Sequence, residues 1–487
     1  MKFFPDSTTF VEIGALSIQW YAVCILTGAF IAYLLVTKEM RKMGYEDDDT
    51  DNIFMGLMLF GVLGARIWYV LFSDLQAYLQ DPISIIQIWK GGLAIQGGLF
   101  GGALFVYFYT KKKKMTFFRI ADSLMPYVLI GQACGRWGNF INKEAFGQKV
   151  TEAYFEHWPS FLNFIKEGMY IGGSYREPMF FYESVLCIIG FILIMLYRKY
   201  SKPKRGDLAS CYLLWYGAIR FWIEARRSDS LMFMGLKMAQ LISLAFIIIG
   251  VLGLTGVFRK LANKNKKPVL LFDLDGTLLD TEPLIRESFK YVFKKYKPDY
   301  ELTEEDLLSF VGPPLEGSFR RFFDESMIEE LVSCYREYNV AHHEDWVKPL
   351  PHAKELVAKW KQDGYRIGVV SAKKRDIVEL GLNVCGMRDD IELVLGGDDY
   401  EKQKPNKDGI IRACQLMNVS HDDCIYVGDT RSDVLAAHNA GVYSVAYLSN
   451  PKREQELSSV HPNKLVRDLS EIEDVLKEDI SWSYNMR

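Results

Sequence analysis

A chain of 487 residues is long enough for two or three domains, and a net charge of −3 with 24% charged residues excludes the strongly basic profile of a nucleic-acid binder. The 49% hydrophobic content averages two unlike halves: long apolar runs to about residue 260, then a charged, soluble-looking sequence from Lys267. The eight cysteines are scattered with no CxxC pair, which argues against a disulfide framework and against a zinc site.

The opening "MKFFPDSTTFVEIG" has neither a basic stretch feeding an apolar one nor a small-residue cleavage site, so no removable signal peptide is expected. Crossing a bilayer takes about 20 mostly apolar residues in a helix. Seven stretches meet that need, at about 17–37, 53–72, 92–110, 116–134, 179–197, 208–225 and 236–258. The third, "GGLAIQGGLFGG", has the small residues that let helices approach closely in lipid, and the sixth carries Arg220 and Glu224. The basic clusters "KEMRK", "KKKK", "RKYSKPKR" and "RKLANKNKK" follow the first, third, fifth and seventh spans. Basic loops stay cytoplasmic, so the N-terminus is expected outside, with the largest outside loop at about 135–178.

Around the start of that loop, "GQACGRWGNFINKEAFG" (131–147) gathers Arg136, Asn139, Asn142 and Glu144 directly after an apolar span. Ionisable groups within a span are costly and usually face a partner or a functional cavity; Arg66, Glu183, Arg220 and Glu224 are the others here. Arg220 and Glu224 lie four apart on one helix face. That spacing suits a mutually neutralising pair, and equally a site where a guanidinium grips phosphate oxygens bidentately.

"GRWGNFINKE" (135–144) closely resembles the signature of bacterial prolipoprotein diacylglyceryl transferases. "SIQWYAV", "GARIWYVLF", "GGLAIQGGLFGG", "RIADSLMP", "EPMFFYES" and "LWYGAIRFWIEARRSD" resemble the same family, in order, across nearly all of 1–258. The resemblance implies that phosphatidylglycerol donates its diacylglyceryl group to the lipobox cysteine of a preprolipoprotein signal peptide, forming a thioether and releasing glycerol 1-phosphate, without a cofactor. It implies catalytic roles for Arg136, Arg220, Glu144 and Glu224, and substrate binding by Tyr21, Gln96, Asn139, Asn142 and Tyr216. Arg66 and Asp122 also match, with a structural role open for both. One position departs from the pattern. Many members carry a histidine in "AxHGG", whereas this chain reads "AIQGG" with Gln96. An amide cannot usefully accept a thiol proton, so either the base lies elsewhere or the field of the arginines activates the thiol.

Past a short basic linker at about 259–267, the strand-like runs "PVLLFDLD", "YRIGVVSAK", "IELVLGG", "DCIYVGD" and "YSVAYL" alternate with helical patterns. Such alternation predicts a parallel sheet flanked by helices. "FDLDGTLLD" (272–280) places Asp273 and Asp275 at a strand end, with Gly276 at the exit turn. It resembles the first motif of the haloacid-dehalogenase phosphatases, and Ser371 in "VVSAK", Lys404 in "KQKPN", and Asp429 and Asp433 in "YVGDTRSD" follow in that superfamily's order. The resemblance implies an aspartyl phosphate on Asp273, with Asp275 as acid and base, Lys404 balancing charge, Ser371 holding a phosphoryl oxygen and Mg²⁺ on Asp273, Asp275 and Asp429. The segment 283–348 reads as a helical cap, "FVGPPLEGSF" (310–319) resembles the cap loop of the phosphoglycolate-phosphatase-like branch, and His342 and His343 read as surface residues.

The expected architecture is multidomain: a polytopic seven-helix membrane domain (1–262) resembling the transferases, then an α/β Rossmannoid haloacid-dehalogenase-like domain (263–487) with an α-helical cap. The expected partners are phosphatidylglycerol, preprolipoproteins, the membrane and a phosphorylated small molecule, with no nucleic acid. The C-terminal domain is expected in the cytoplasm of a bacterial cell. The alternative is a phosphatase anchored by an inactive or repurposed membrane domain.

Overall fold

A computed structural model describes residues 8–13, 16–73, 75–87, 92–201, 203–227, 232–233, 236–262, 267–310 and 315–477. The chain divides into two compact units, Met1–Arg41 with Tyr45–Lys264, and Asn265–Arg487 with the short stretch Lys42–Gly44.

Seven long helices make up the first unit among the described residues: α1 (Trp20–Lys42), α2 (Asp47–Phe72), α3 (Ile95–Lys113), α4 (Phe117–Asn142), α5 (Met179–Tyr200), α6 (Asp207–Arg226) and α7 (Met238–Leu254). Each lies where the sequence places a span. Of these, α1, α2 and α5 are by themselves long and apolar enough to cross a membrane. The burial pattern is inverted relative to a soluble protein. Leu26, Phe30, Leu59, Ile67, Ile192 and Leu196 are exposed, whereas Glu39, Arg66, Asp122, Glu183 and Glu224 are buried. Apolar side chains outward and charges inward is the arrangement a lipid solvent selects.

The helix starts and stops follow local chemistry. Three aspartates, Asp47, Asp48 and Asp49, occupy the first turn of α2, and Lys111, Lys112 and Lys113 the last turn of α3, each complementing the helix dipole. The expected close approach of the glycine-rich span is present. A Cβ at Gly97 would lie 2.2 Å from the Gly64 carbonyl oxygen, and one at Gly101 2.5 Å from that of Phe60. Only glycine lets α2 and α3 pack backbone to backbone there.

One expectation is corrected. The motif at 131–147 does not begin an outside loop. Helix α4 runs on through Arg136 and Asn139 to Asn142, and stops at Lys143, whose φ is 55°. Nothing in "GRWGNFIN" breaks a helix, and Gly138 is there for contact: a Cβ on it would lie 2.7 Å from the Tyr21 ring. The loop proper carries a small antiparallel sheet, Lys149–Val150, Ser174–Arg176 and Tyr170–Ile171, over a core of Phe140, Phe155, Ile165, Met169 and Phe180. Arg66 and Asp122 both hold main chain. Arg66 donates to the carbonyls of Ser84 (2.6 Å), Ile85 (2.7 Å) and Gly92 (2.8 Å). Asp122 accepts from Gly206 (2.6 Å) and Ala209 (2.9 Å), at the start of α6.

The second unit is built on six parallel strands: β1 (Val269–Phe272), β2 (Arg366–Val370), β3 (Leu393–Leu395), β4 (Cys424–Gly428), β5 (Tyr443–Tyr447) and β6 (Lys464–Val466), in the order β3-β2-β1-β4-β5-β6. Helices α11 (Ala353–Gln362), α12 (Arg375–Val384), α13 (Asp408–Leu416) and α14 (Arg431–Asn439) follow strands or the cap in sequence. β1 and β4 are buried along their whole length, as befits the centre of a parallel sheet. The cap contains α8 (Glu282–Tyr296), α9 (Ile328–Ala341) and α10 (His343–Trp346) around a core that includes Phe289, Phe293, Phe310 and Phe319. It enters and leaves through one antiparallel ribbon, Leu279–Asp280 against Lys348–Pro349. Residues 311–314 of the cap loop lie outside the described residues. His343 is not a surface residue: it is 1% exposed. A polar pair at a helix end reads as surface, but α10 packs between the cap helices and α12.

Candidate active sites

In the first unit, the charged residues of α4, α5 and α6 form one chain of contacts. Glu183, buried on α5, takes Arg136 Nη2 at 3.1 Å on one oxygen and Arg220 Nη1 at 3.4 Å on the other. Arg220 reaches Glu224 at 2.7 Å, and Arg227 approaches the same carboxylate at 4.0 Å. Arg136 also donates to Asn139 Oδ1 at 3.0 Å. Asn139 and Asn142 then donate to Glu144 Oε1 at 3.1 and 3.3 Å. The residues from Arg136 to Glu144 fall within three turns at the end of α4, which is why a short motif can hold so many polar groups. Tyr216 is buried on α6 and stacks on Tyr212 with ring centroids 5.8 Å apart.

A largely apolar cavity of about 320 Å³ adjoins this network, with Tyr21, Gln132, Arg136 and Asn139 among its lining and Ile25, Ile53 and Phe54 along its wall. An apolar chamber ending in a guanidinium has the polarity of a lipid: acyl chains along the wall, phosphate at the cation. Gln96 is half-buried in the first turn of α3. Among the described residues no hydrogen bond joins it to the arginine network.

In the second unit, Asp273 follows β1 and Asp429 follows β4, adjacent strands whose ends open on the same side. Lys404 Nζ donates to Asp273 Oδ1 (2.7 Å) and Asp433 Oδ1 (2.8 Å). Asp433 Oδ2 closes a capping box with Thr430 at the start of α14. Asp429 accepts from Ser449 and Arg453, both at 3.4 Å. Carboxylate oxygens of Asp273, Asp429 and Asp433, all buried, lie within 4.8 Å of one another. Burial pushes the Asp273 carboxyl up to about 7 against the pull of Lys404, with Asp433 and Asp275 adding to the rise. Burial, then Asp433 and Asp273, hold Asp429 well above the usual carboxylate range. Acids so crowded favour a hard, oxygen-ligated cation between them. Gly276 makes the room: its φ is +71°, and a Cβ there would lie 2.4 Å from Asp429 Oδ2.

The Asp275 carboxylate is held apart from that cluster, by Thr281 Oγ1 (2.5 Å) and Lys373 Nζ (2.7 Å) on Oδ1. Ser371 is buried at the end of β2, and its Oγ accepts the Lys373 N–H at 3.2 Å, so its own proton is left to donate.

Residues 8–255 match the family model for prolipoprotein diacylglyceryl transferase. The chain is 43% identical to a phosphatidylglycerol–prolipoprotein diacylglyceryl transferase from Streptococcus pneumoniae over 244 residues, which is 50% of this chain and 90% of that protein. It is 40% identical to the enzyme of the same name from Streptococcus mutans, over 50% of this chain and 92% of that one. The chain belongs to the prolipoprotein diacylglyceryl transferase family. Residues 270–447 match the model for haloacid dehalogenase-like hydrolases, so the transferase is fused to a hydrolase. A solved haloacid dehalogenase-like family hydrolase from Streptococcus pneumoniae is similar to the second unit at 24% identity and a TM-score of 0.40, covering 43% of this chain and 98% of that one.

In the transferase half the structure brings together Arg136, Asn139, Asn142, Glu144, Arg220 and Glu224, with Tyr21 and Arg136 on one cavity. Sequence reasoning gave no role to the carboxylate that joins the two arginines, Glu183, nor to Arg227. The signal for Glu183 was present, as an acid near the start of an otherwise apolar span. In the hydrolase half, Asp273, Lys404 and Asp429 meet, with Asp433 joining them. Lys373, one residue from the "VVSA" strand end, and Arg453 were not anticipated.

Proposed function

We propose that the first unit transfers the diacylglyceryl group of phosphatidylglycerol to a lipobox cysteine thiol. The observation that carries this reading is the pair of guanidinium groups, Arg136 and Arg220, sharing Glu183 beside an apolar cavity. The thiol sulfur attacks the glyceryl carbon, the carbon–oxygen bond to phosphate breaks, and glycerol 1-phosphate departs with the electron pair. Arg136 and Arg220 stabilise that departing charge in a site partly shielded from water. Asn139 fixes Arg136. Among the described residues Glu144 is held by two amides, both on one oxygen, and its other oxygen is the acceptor for the thiol proton, a role Gln96 cannot fill. Glu224 orients Arg220. Tyr21, Tyr216 and Asn142 complete the headgroup contacts.

Gln96→Ala is therefore expected to reduce transfer, not abolish it. Incorporation of labelled lipid into a lipobox peptide measures this; complete loss at normal protein level would place Gln96 in the proton path. Seven spans with the N-terminus outside agree with the basic clusters after α1, α3 and α5, and put the hydrolase domain in the cytoplasm. Complementation of a transferase-depleted bacterium by residues 1–262 tests the first unit on its own.

The second unit is proposed to hydrolyse a phosphorylated small molecule. Asp273 attacks phosphorus to give an aspartyl phosphate, Asp275 protonates the leaving oxygen and then activates water, and Ser371 donates to a phosphoryl oxygen. Lys404 keeps Asp273 from repelling the incoming anion. Asp273, Asp429 and the Asp275 main chain, with Asp433 in support, would hold Mg²⁺, which would supply charge neutralisation there. Chelation is expected to stop phosphate release, with recovery on adding Mg²⁺, and to leave lipid transfer unchanged. Phosphate release that persists through chelation would contradict this assignment.

A further inference from the structure

A transfer site must also release what it grips. Once the carbon–oxygen bond breaks, the departing glycerol phosphate carries about two negative charges, and two arginines hold it more tightly than they held the lipid. The side chains of Arg136 and Arg220 are each only 14% exposed. Pulling a dianion off two shielded cations costs much of their attraction unless another cation takes it over. The ion pairs of this unit continue past the site. Arg136, Glu183, Arg220, Glu224 and Arg227 alternate in sign, with Arg227 at 4.0 Å from Glu224. Positions 220, 224 and 227 are four and three residues apart, so they form one row along α6 and the first residue beyond it. The Arg227 main chain is fixed although the helix has ended. Its N–H donates to the Ile223 carbonyl at 3.2 Å. Its own carbonyl accepts from Lys237 Nζ at 2.9 Å, and the same ammonium holds the Glu224 carbonyl at 2.7 Å. Arg226 turns elsewhere, to Glu177 at 3.6 Å and over the Trp222 ring at 4.9 Å, so Arg227 is the one of the two that extends the row. No step of the transfer itself uses Arg227.

We infer that Arg227 is a release station, which takes the anionic leaving group from Arg220 after the thioether has formed and passes it to the outer face. The inference rests on the diacylglyceryl transfer proposed for the first unit and on the proposed orientation, in which α6 ends outside. Each arginine of the row sits on a carboxylate, so it can trade that carboxylate for phosphate and regain it afterwards without standing unpaired. Phosphate moving from Arg220 meets Arg227 before it loses its last cation. Glu224 closes on Arg220 behind it, and the repulsion makes the step outward favourable.

The test uses the full chain in nanodiscs whose phosphatidylglycerol is labelled in the headgroup glycerol, with a lipobox peptide as acceptor. Thioether formation and the appearance of free labelled glycerol phosphate are followed separately through the first turnover. In the unaltered chain the two are expected to rise together. In Arg227→Gln the thioether is expected to form within about threefold of the normal rate, while free glycerol phosphate lags at least about tenfold behind and its label stays with the protein. Arg227→Lys keeps the charge and is expected to recover most of the release. Lys237→Met unpins the Arg227 main chain without altering the row, and is expected to lag in the same way. Thioether and release slowed alike in Arg227→Gln would overturn the station and make Arg227 a positioning residue for Glu224. Release that keeps pace with the thioether in Arg227→Gln would overturn it too, as would a lag just as long in Arg227→Lys. Lys237→Met without a lag overturns it even where Arg227→Gln does not accumulate. An unaltered chain that forms no more thioether than Arg136→Ala would bring down the transferase reading and this inference together.

Discussion

Arg136→Ala is expected to lower diacylglyceryl incorporation into a lipobox peptide by at least about 10²–10³-fold, the range for removing one preorganised donor from a site where charge develops. Two effects add. The departing phosphate loses a guanidinium aimed from the end of α4, and Asn139, which Arg136 grips at 3.0 Å, loses its anchor. The buried Glu183 is left with Arg220 alone, at 3.4 Å. An acid deprived of one of two cations in low dielectric destabilises the helix trio α4, α5 and α6 as well. Arg136→Lys separates the two effects. It keeps the charge beside Glu183 but cannot bridge Glu183 and Asn139 with a planar fork, so the protein level is expected to recover more than the transfer rate. Modification that proceeds at the normal rate in Arg136→Ala, at normal protein level, would remove the arginine pair from the chemistry.

Asp273→Asn is expected to abolish phosphate hydrolysis, by about 10⁴-fold or more, the scale on which covalent catalysis fails without its nucleophile. The fold should survive. Burial first, with repulsion from Asp433 and Asp275 adding to it, raises the Asp273 carboxyl to about 7, so exchanging it for a neutral amide removes a charge that the site disfavours. Lys404 retains Asp433 at 2.8 Å. A melting temperature close to that of the unaltered chain, with lipid transfer intact, is the expected companion result. Turnover retained in Asp273→Asn would assign the attack on phosphorus to another group.

Much of this architecture was legible in the sequence because each half writes its solvent into its pattern. Apolar runs of helix length marked all seven long helices, and strand runs broken by glycine and aspartate marked five strands of the parallel sheet. The sixth, Lys464–Val466, is three residues long, with one of them fully buried, too short for alternation to show. The helix bearing Arg136 runs eight residues past its expected end because helix propensity, not hydropathy, sets where it stops; Lys143 in the left-handed region supplies the stop. Site residues that act at motif ends were visible. Glu183 stood out as an acid within a span, but its pairing with two arginines did not, and His343 beneath the cap was read as surface, since both depend on which helices become neighbours.

The ribbon at Leu279–Asp280 and Lys348–Pro349 has a consequence for how this hydrolase can diversify. Both crossings into the insertion are tied to each other, so the strand order of the sheet does not depend on what lies between them. A different insertion can be grafted at that doorway, and the enzyme will admit other molecules while performing the same reaction underneath.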